Sequence, residues 1–206
     1  MLTVARQAKG FMPDDEGMAL HEAALEAGRS GVGPLLEVGT YCGKSAVYIG
    51  AAARETGTVL FTVDHHRGSE ENQAGWEHHD TEVVDAHSGR MDTLPWFRRT
   101  IEQAGLEDCV VGVVGDSVTV ARWWSTPLAF LFVDGGHGDD VVRADEKAWI
   151  PHMASGALVA IHDVFPDPAD GGRPPYELYR RLLDGAQFVE ESGLGCGSLR
   201  VLRRAR

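Results

Sequence analysis

Between Leu35 and Leu183 short apolar runs alternate with stretches of helical period, and this rhythm constrains the fold more than any other feature. The runs GPLLEVG (33–39), GTVLFTVD (57–64), CVVGVVGD (109–116), LAFLFVD (128–134) and GALVAIHD (156–163) are rich in β-branched and aromatic residues, as strands are. Helices are expected over 43–55, over roughly 92–105, in SVTVARWW (117–124), in DDVVRADEKAWIPHM (139–153) and in PPYELYRRLLDG (174–185). In the fourth of these windows Val141, Ala144 and Ala148 share a face, and Pro174 or Pro175 stands near the start of the last. A further helix over 14–28 is expected, with Asp14 or Asp15 near its N-cap and Gly28 at its end. The tail reads as two strands around a glycine-rich turn, AQFVEESGLGCGSLRVLRR. Strand, helix, strand in succession predicts an α/β fold, a mostly parallel sheet with helices on both faces, in one domain over 1–206.

The polar endings of the apolar runs then acquire a meaning. Glu37–Gly39, Asp64, Gly115–Asp116, Asp134 and His162–Asp163 all fall along one edge of such a sheet. Ligands bind at the carboxyl ends of the strands in these folds, although many chemistries use that edge. One stretch breaks the rhythm. Residues 65–91, HHRGSEENQAGWEHHDTEVVDAHSGRM, are polar and rich in histidine, and a connection this long predicts a functional lid or insert.

Charge and cysteine content narrow the partners. A net charge of -12 argues against nucleic acid or an anionic membrane surface, which attract a basic face. Three widely spaced cysteines, Cys42, Cys109 and Cys196, form neither a disulfide framework nor a zinc pattern, so a reducing cytoplasm is expected. The sequence holds no apolar run of transmembrane length and no apolar core of a secretory leader.

LLEVGTYCGKS (35–45) lies at the first strand-to-helix turn and admits several readings. It can be a tight turn of small residues and nothing more. A dinucleotide fingerprint fails, because GxGxxG is absent. A P-loop would use Gly43, Lys44 and Ser45, with Asp134 as the magnesium carboxylate, but its first glycine falls on Val38. The S-adenosylmethionine (SAM) reading accounts for more residues. Gly39 and Gly43 let the backbone approach the methionyl part, and the helix N-terminus receives its carboxylate. Glu37 helps fix the amino-acid end, Asp64 is spaced to bond a ribose diol, and Asp116, with Ser117, is placed for adenine. A P-loop needs neither Asp64 nor Asp116.

LLEVGTYCGKSAVYIG resembles the first motif of the class I SAM-dependent O-methyltransferases, above all the catechol and caffeoyl-CoA type, with Glu37, Gly39, Tyr41, Gly43 and Ser45 in matching places. FVDGGHGDDVVRADEKAWIPHMASGALVAIHDV resembles the fourth- and fifth-strand region of a related bacterial family that methylates sugars and natural products. The resemblance implies a Rossmann-like, doubly wound sheet of about seven strands, SAM as cofactor, and a homodimer. The insert resembles that of sugar methyltransferases of methylmannose-polysaccharide synthesis, which implies the 1-OH of a methylated mannoside as one acceptor.

In the metal-dependent relatives the ligand positions correspond to Asp134, His162 and Asp163, which implies a divalent cation here. The catechol type carries Asp-Asn where this sequence has His162–Asp163; a histidine shifts the preference from magnesium towards manganese, or serves to bond Asp134 or Asp163 instead. His137 occupies the place of a catalytic lysine and is expected to take the acceptor's proton beside Asp134; its alternative is to cap the next helix or pair with Asp139 or Asp140. The insert histidines His65, His66, His78 and His79 lack a recognised zinc spacing. Trp76, His78 and His79 are expected on one side of the acceptor, with Phe165 and Tyr176 opposite, and Trp123 and Trp124 in the core or an interface. The expected activity is metal-assisted O-methylation of a sugar or oligosaccharide hydroxyl. A catechol-like acceptor is the near rival, and a P-loop nucleotide-binding protein or a non-catalytic SAM-binding regulator the more distant ones.

Overall fold

Each apolar run forms a strand in the computed structural model, which describes residues 1–69, 80–136 and 138–205. The strands are β1 (Leu35–Val38), β2 (Leu60–Asp64), β3 (Val110–Val114), β4 (Leu128–Val133), β5 (Met153–Ile161), β6 (Phe188–Glu190) and β7 (Arg200–Arg204). They make one sheet in the order β3-β2-β1-β4-β5-β7-β6. The first five are parallel, and β7 runs antiparallel between β5 and β6. This is the doubly wound sheet that the sequence predicts.

Period-two alternation sorts the strand residues between two cores. Leu35, Phe130, Phe132, Leu158 and Ala160 face α1 (Leu2–Gln7), α2 (Asp14–Arg29), α3 (Lys44–Thr56) and α4 (Leu94–Ala104). Leu36, Leu131, Val133, Val159 and Ile161 face α5 (Ser117–Ala121), α6 (Asp139–Trp149) and α7 (Arg173–Asp184). All six residues of β4 are buried, as expected for a central strand covered on both sides. Cutting Phe130 or Phe132 back to alanine would cost about 3–5 kcal/mol.

Several local expectations need correction. Helix α1 was not foreseen. The N-cap of α2 is Pro13; Asp14 and Asp15 fill its first turn, where carboxylates complement the helix dipole. Gly28 lies inside α2 instead of ending it, because a Cβ there would overlap Thr56 of α3: it marks a close helix–helix approach. Helix α6 stops at Trp149, and a 3-10 turn with Pro151 near its start follows. The buried side chains of α6 are Val142, Asp145 and Trp149, while Val141 is exposed. Trp124 packs edge-on against Phe61 and Trp149, but Trp123 is 84% exposed and belongs to no core. Of the insert, 65–69 and 80–91 are described, including a 3-10 turn at Thr81–Val83 and a bridge between Val84 and Met91. Among the described residues no helix is long and apolar enough to cross a membrane.

Candidate active site

Strand order reverses at β1, whose neighbours are β2 and β4, so the chain leaves β1 and β4 in diverging directions. A cleft of about 560 Å³ opens there, walled by the β1–α3 loop, the ends of β2, β3, β4 and β5, and the segment before α2.

The glycine loop is shaped by backbone conformations that side chains resist. Gly39 has φ +89°, and a Cβ there would overlap the Asp134 carbonyl, so glycine permits the contact between the two strand ends. Gly43 has φ +91° and begins α3, which no side chain caps. The amide groups of the first turn of α3 are thereby left for an anion. Tyr41 also adopts a positive φ, +49°, at a cost of the order of 1 kcal/mol. Its ring packs on Phe11 at 5.4 Å, and its hydroxyl donates to Asp80 Oδ2 at 3.2 Å.

Asp64 fastens this loop. Its Oδ2 accepts from the amides of Thr40 (2.9 Å) and Tyr41 (2.8 Å), and its Oδ1 from that of His66 (2.7 Å). It lines the cleft, as its expected ribose role requires, but most of its acceptor capacity is already used by the backbone. Ser45 lines the cleft; Glu37 and Gly43 do not. Glu37 is fully buried beneath the cleft, accepts from Thr62 Oγ1, and has no partner at Oε1 among the described residues. Burial first, then the nearby charges of Asp134 and Asp64, push its pKa up to about 8 against the opposing pull of Ser45 and Thr62. Burial therefore favours the protonated form of Glu37.

Asp116 is exposed at the cleft and caps α5, accepting from the Thr119 amide at 2.8 Å, and the hydrogen bonds of Thr119 hold its pKa low. Ser117 donates to Asp145 Oδ1 at 2.6 Å and accepts from Trp149 Nε1 at 2.7 Å. Asp145 lines the cleft although it is only 5% exposed, and burial raises its pKa. Sequence reasoning missed it. The available signal was an acid spaced i+3 from Val142 and i−4 from Trp149, on the buried stripe of an amphipathic helix.

At the other end of the cleft Asp134, His162 and Asp163 come together. One ligand atom from each lies within 4.8 Å of the others. His162 Nδ1 is 3.2 Å from Asp134 Oδ1 and 3.4 Å from Asp163 Oδ2, and its Nε2 is 2.6 Å from Glu16 Oε2. Burial opposes the charged imidazole, but Asp134 first, and then Asp163 and Glu16, outweigh it and push the pKa to about 12. Glu16, in the first turn of α2, was also missed; in the sequence it is one more acid at a helix start.

The predicted acceptor residues fare differently. His137, Trp76, His78 and His79 lie outside the described residues. Phe165 and Tyr176 are not among the residues that line this cleft. Phe165 packs against Gly171, and Tyr176 packs on the α7 core with the Arg173 guanidinium 4.1 Å from its ring centroid. The segment Lys9–Met12 lines the cleft instead. Lys9 pairs with Asp80 and Glu82 at 2.5 Å and its ammonium lies 5.2 Å from the Trp96 ring centroid; Phe11 is 62% exposed.

The sheet order and a cleft flanked by the glycine loop and the acidic strand ends define a methyltransferase fold of class I. The chain belongs to the methyltransferase-domain family, whose pattern matches residues 36–164, and this displaces the P-loop reading. In fold it is similar to the O-methyltransferase NovP (17% identity, TM-score 0.66, covering 91% of this chain and 78% of that one). It is likewise similar to the O-methyltransferase TomG of Streptomyces achromogenes in complex with SAM (17%, TM-score 0.65, 100% and 89%). A third similar structure is CalS11, a TDP-rhamnose 3'-O-methyltransferase of calicheamicin biosynthesis (15%, TM-score 0.63, 89% and 76%).

Proposed function

We propose that this chain is a SAM-dependent O-methyltransferase, assisted by a divalent cation, acting on a hydroxyl of a small polar ring, with a sugar or oligosaccharide preferred. The observation that carries the reading is the Asp134–His162–Asp163 cluster at the lip of the cleft that holds the glycine loop. The residues present fit both groups. The uncapped N-terminus of α3, the close approach at Gly39 and the unpartnered Glu37 Oε1 suit an amino-acid-bearing cofactor. Two carboxylates and an imidazole nitrogen suit a divalent cation of the magnesium or manganese kind.

When bound, SAM supplies an electrophilic methyl group, and the cation polarises and orients the acceptor hydroxyl. The chain's own part is placement. The α3 N-terminus receives the cofactor's carboxylate, Asp64 retains one acceptor site for the ribose, and Asp116 with Ser117 meets the adenine. Asp134, Asp163 and His162 Nδ1 hold the cation. His137, three residues past Asp134, takes the hydroxyl proton. Phe11, largely exposed and packed at a tilt on Tyr41, lines the cleft where an acceptor ring would meet an aromatic face.

The sugar preference is supported by the similarity to CalS11 and by that aromatic face; a catechol would use the same face. The finer assignment to the 1-OH of a methylated mannoside draws on the insert, whose residues 70–79 lie outside the described residues. Three free cysteines suit a reducing cytoplasm, and a homodimer is the expected assembly, to be read by light scattering. The test is a methyl-transfer screen over sugars, glycosides and catechols, with and without EDTA. Transfer to a glycoside that EDTA abolishes is expected. Full activity in EDTA removes the cation from the reading, and failure to bind SAM in calorimetry overturns it.

A further inference from the structure

Glu16 lies 146 positions from His162 in sequence, and its carboxylate nonetheless meets both the His162 ring and Ser198. It is 6% exposed. Its Oε1 accepts from the Ser198 amide at 2.6 Å, and its Oε2 lies 3.1 Å from Ser198 Oγ and 2.6 Å from His162 Nε2. The turn between β6 and β7 is cut to receive it. Gly197 has φ +56°, where a side chain is strained, and a Cβ there would displace Glu16 Oε1. The Ser198 carbonyl in turn accepts from the Val164 amide at 3.0 Å, tying the turn to the chain just past His162 and Asp163. Three segments distant in sequence therefore converge on one imidazole edge.

We propose that Glu16 is the positioning residue of the cation site: by holding the Nε2–H of His162 it turns Nδ1 towards Asp134 and Asp163 as the third donor. The inference rests on the proposed cation reading and deepens it. An imidazole that ligates a cation gives up the proton of the ligating nitrogen and keeps the other, and the partner of the retained proton decides which nitrogen ligates. A buried carboxylate on the far nitrogen fixes both tautomer and ring orientation and makes the facing nitrogen a better donor. Nδ1 already lies 3.2 Å from Asp134 Oδ1 and 3.4 Å from Asp163 Oδ2, on the cleft side of the ring. A glutamine at position 16 cannot replace the carboxylate. It offers one acceptor where two are used, so either the Ser198 amide or the imidazole meets an NH2 group.

The test separates this role from simple packing. Mn2+ is titrated into wild type and Glu16→Gln, reading free Mn2+ by electron paramagnetic resonance, with SAM affinity followed in parallel by calorimetry. The expected result is Mn2+ binding weakened by about 10–100-fold in Glu16→Gln, with the SAM Kd within about twofold of wild type. Long-range 1H–15N spectra of wild type loaded with Zn2+, a diamagnetic probe, give a readout needing no variant. His162 is expected to carry its proton on Nε2 with Nδ1 unprotonated. Unchanged Mn2+ affinity in Glu16→Gln, or a proton on Nδ1, overturns the inference while leaving the cation reading in place. A wild type that binds SAM but neither metal removes both. Should Glu16→Gln fail to fold, the spectra alone decide.

Discussion

Glu37 and Asp134 stand at the ends of adjacent parallel strands, yet the fold puts them to opposite uses. Glu37 is paired in register with Phe132, inside the sheet, where burial leaves it neutral below a pKa of about 8. Asp134 lies one residue beyond Val133, partly open to the cleft, with the His162 imidazole 3.2 Å away. A displacement of about two residues along the strand axis, roughly 7 Å, converts an acid that braces the floor into one that can face a cation. The same contrast runs through the whole cleft. Its glycine-loop end is held by backbone amides that donate to Asp64, and its β4–β5 end by the contacts of the His162 ring with Asp134 and with Glu16, which the Ser198 amide fixes in turn.

Substitutions at the two ends should therefore fail in different ways. The largest effect belongs to Asp134→Ala, which should lower turnover by at least about 100-fold, since a cation's transition-state contribution is several kcal/mol and each 1.36 kcal/mol is tenfold. SAM affinity, measured by calorimetry, should change little; a parallel loss of SAM binding would erase the distinction between the ends. Phe11→Ala should raise the acceptor KM by about tenfold, the equivalent of about 1.4 kcal/mol of lost ring contact, with Phe11→Tyr restoring it. An unchanged acceptor KM would move the acceptor wall elsewhere.

Glu37→Gln sharpens the comparison through pH. The folded-state pKa of Glu37 is raised from 4.5 to about 8, so its protonated form contributes stability that is complete below about pH 4.5. That contribution is lost progressively as pH rises through about 8. The variant, which cannot ionise, should gain on wild type between pH 5 and pH 9 by several degrees in Tm, at about 2–4 °C per kcal/mol. A gap that stays constant with pH would mean that Glu37 is already ionised. Smallest is Tyr41→Phe, which removes the bond to Asp80 and should cost about 0.5–1.5 kcal/mol by denaturant unfolding.

How far the site could be read in advance depended on distance along the chain. Strand ends were legible, because an apolar run that stops at a carboxylate marks both the strand and its edge; Asp64, Asp116, Asp134 and His162 all line the cleft that this reasoning placed. Phe165 and Tyr176 fall outside the lining of this cleft for the converse reason. Nearness in sequence to Asp163 does not fix where a loop turns, and their side chains pack towards Gly171 and the α7 core. Lys9–Met12 and Glu16 gave no local signal at all. Their neighbours Asp80, Glu82, His162 and Ser198 lie 71 to 182 positions away, and no periodicity reports a contact of that span.

The sequence by itself determined the alternation of strands and helices, the parallel sheet, the edge that carries the cleft, and the glycines of the first strand-to-helix turn. Each is a short-range consequence of side-chain period or backbone freedom. Only the tertiary structure decided which acids have their pKa raised by burial, which face the cleft, and what meets each nitrogen of His162. Those properties come from burial and from partners supplied by distant segments, and both exist only once the sheet has closed its two faces.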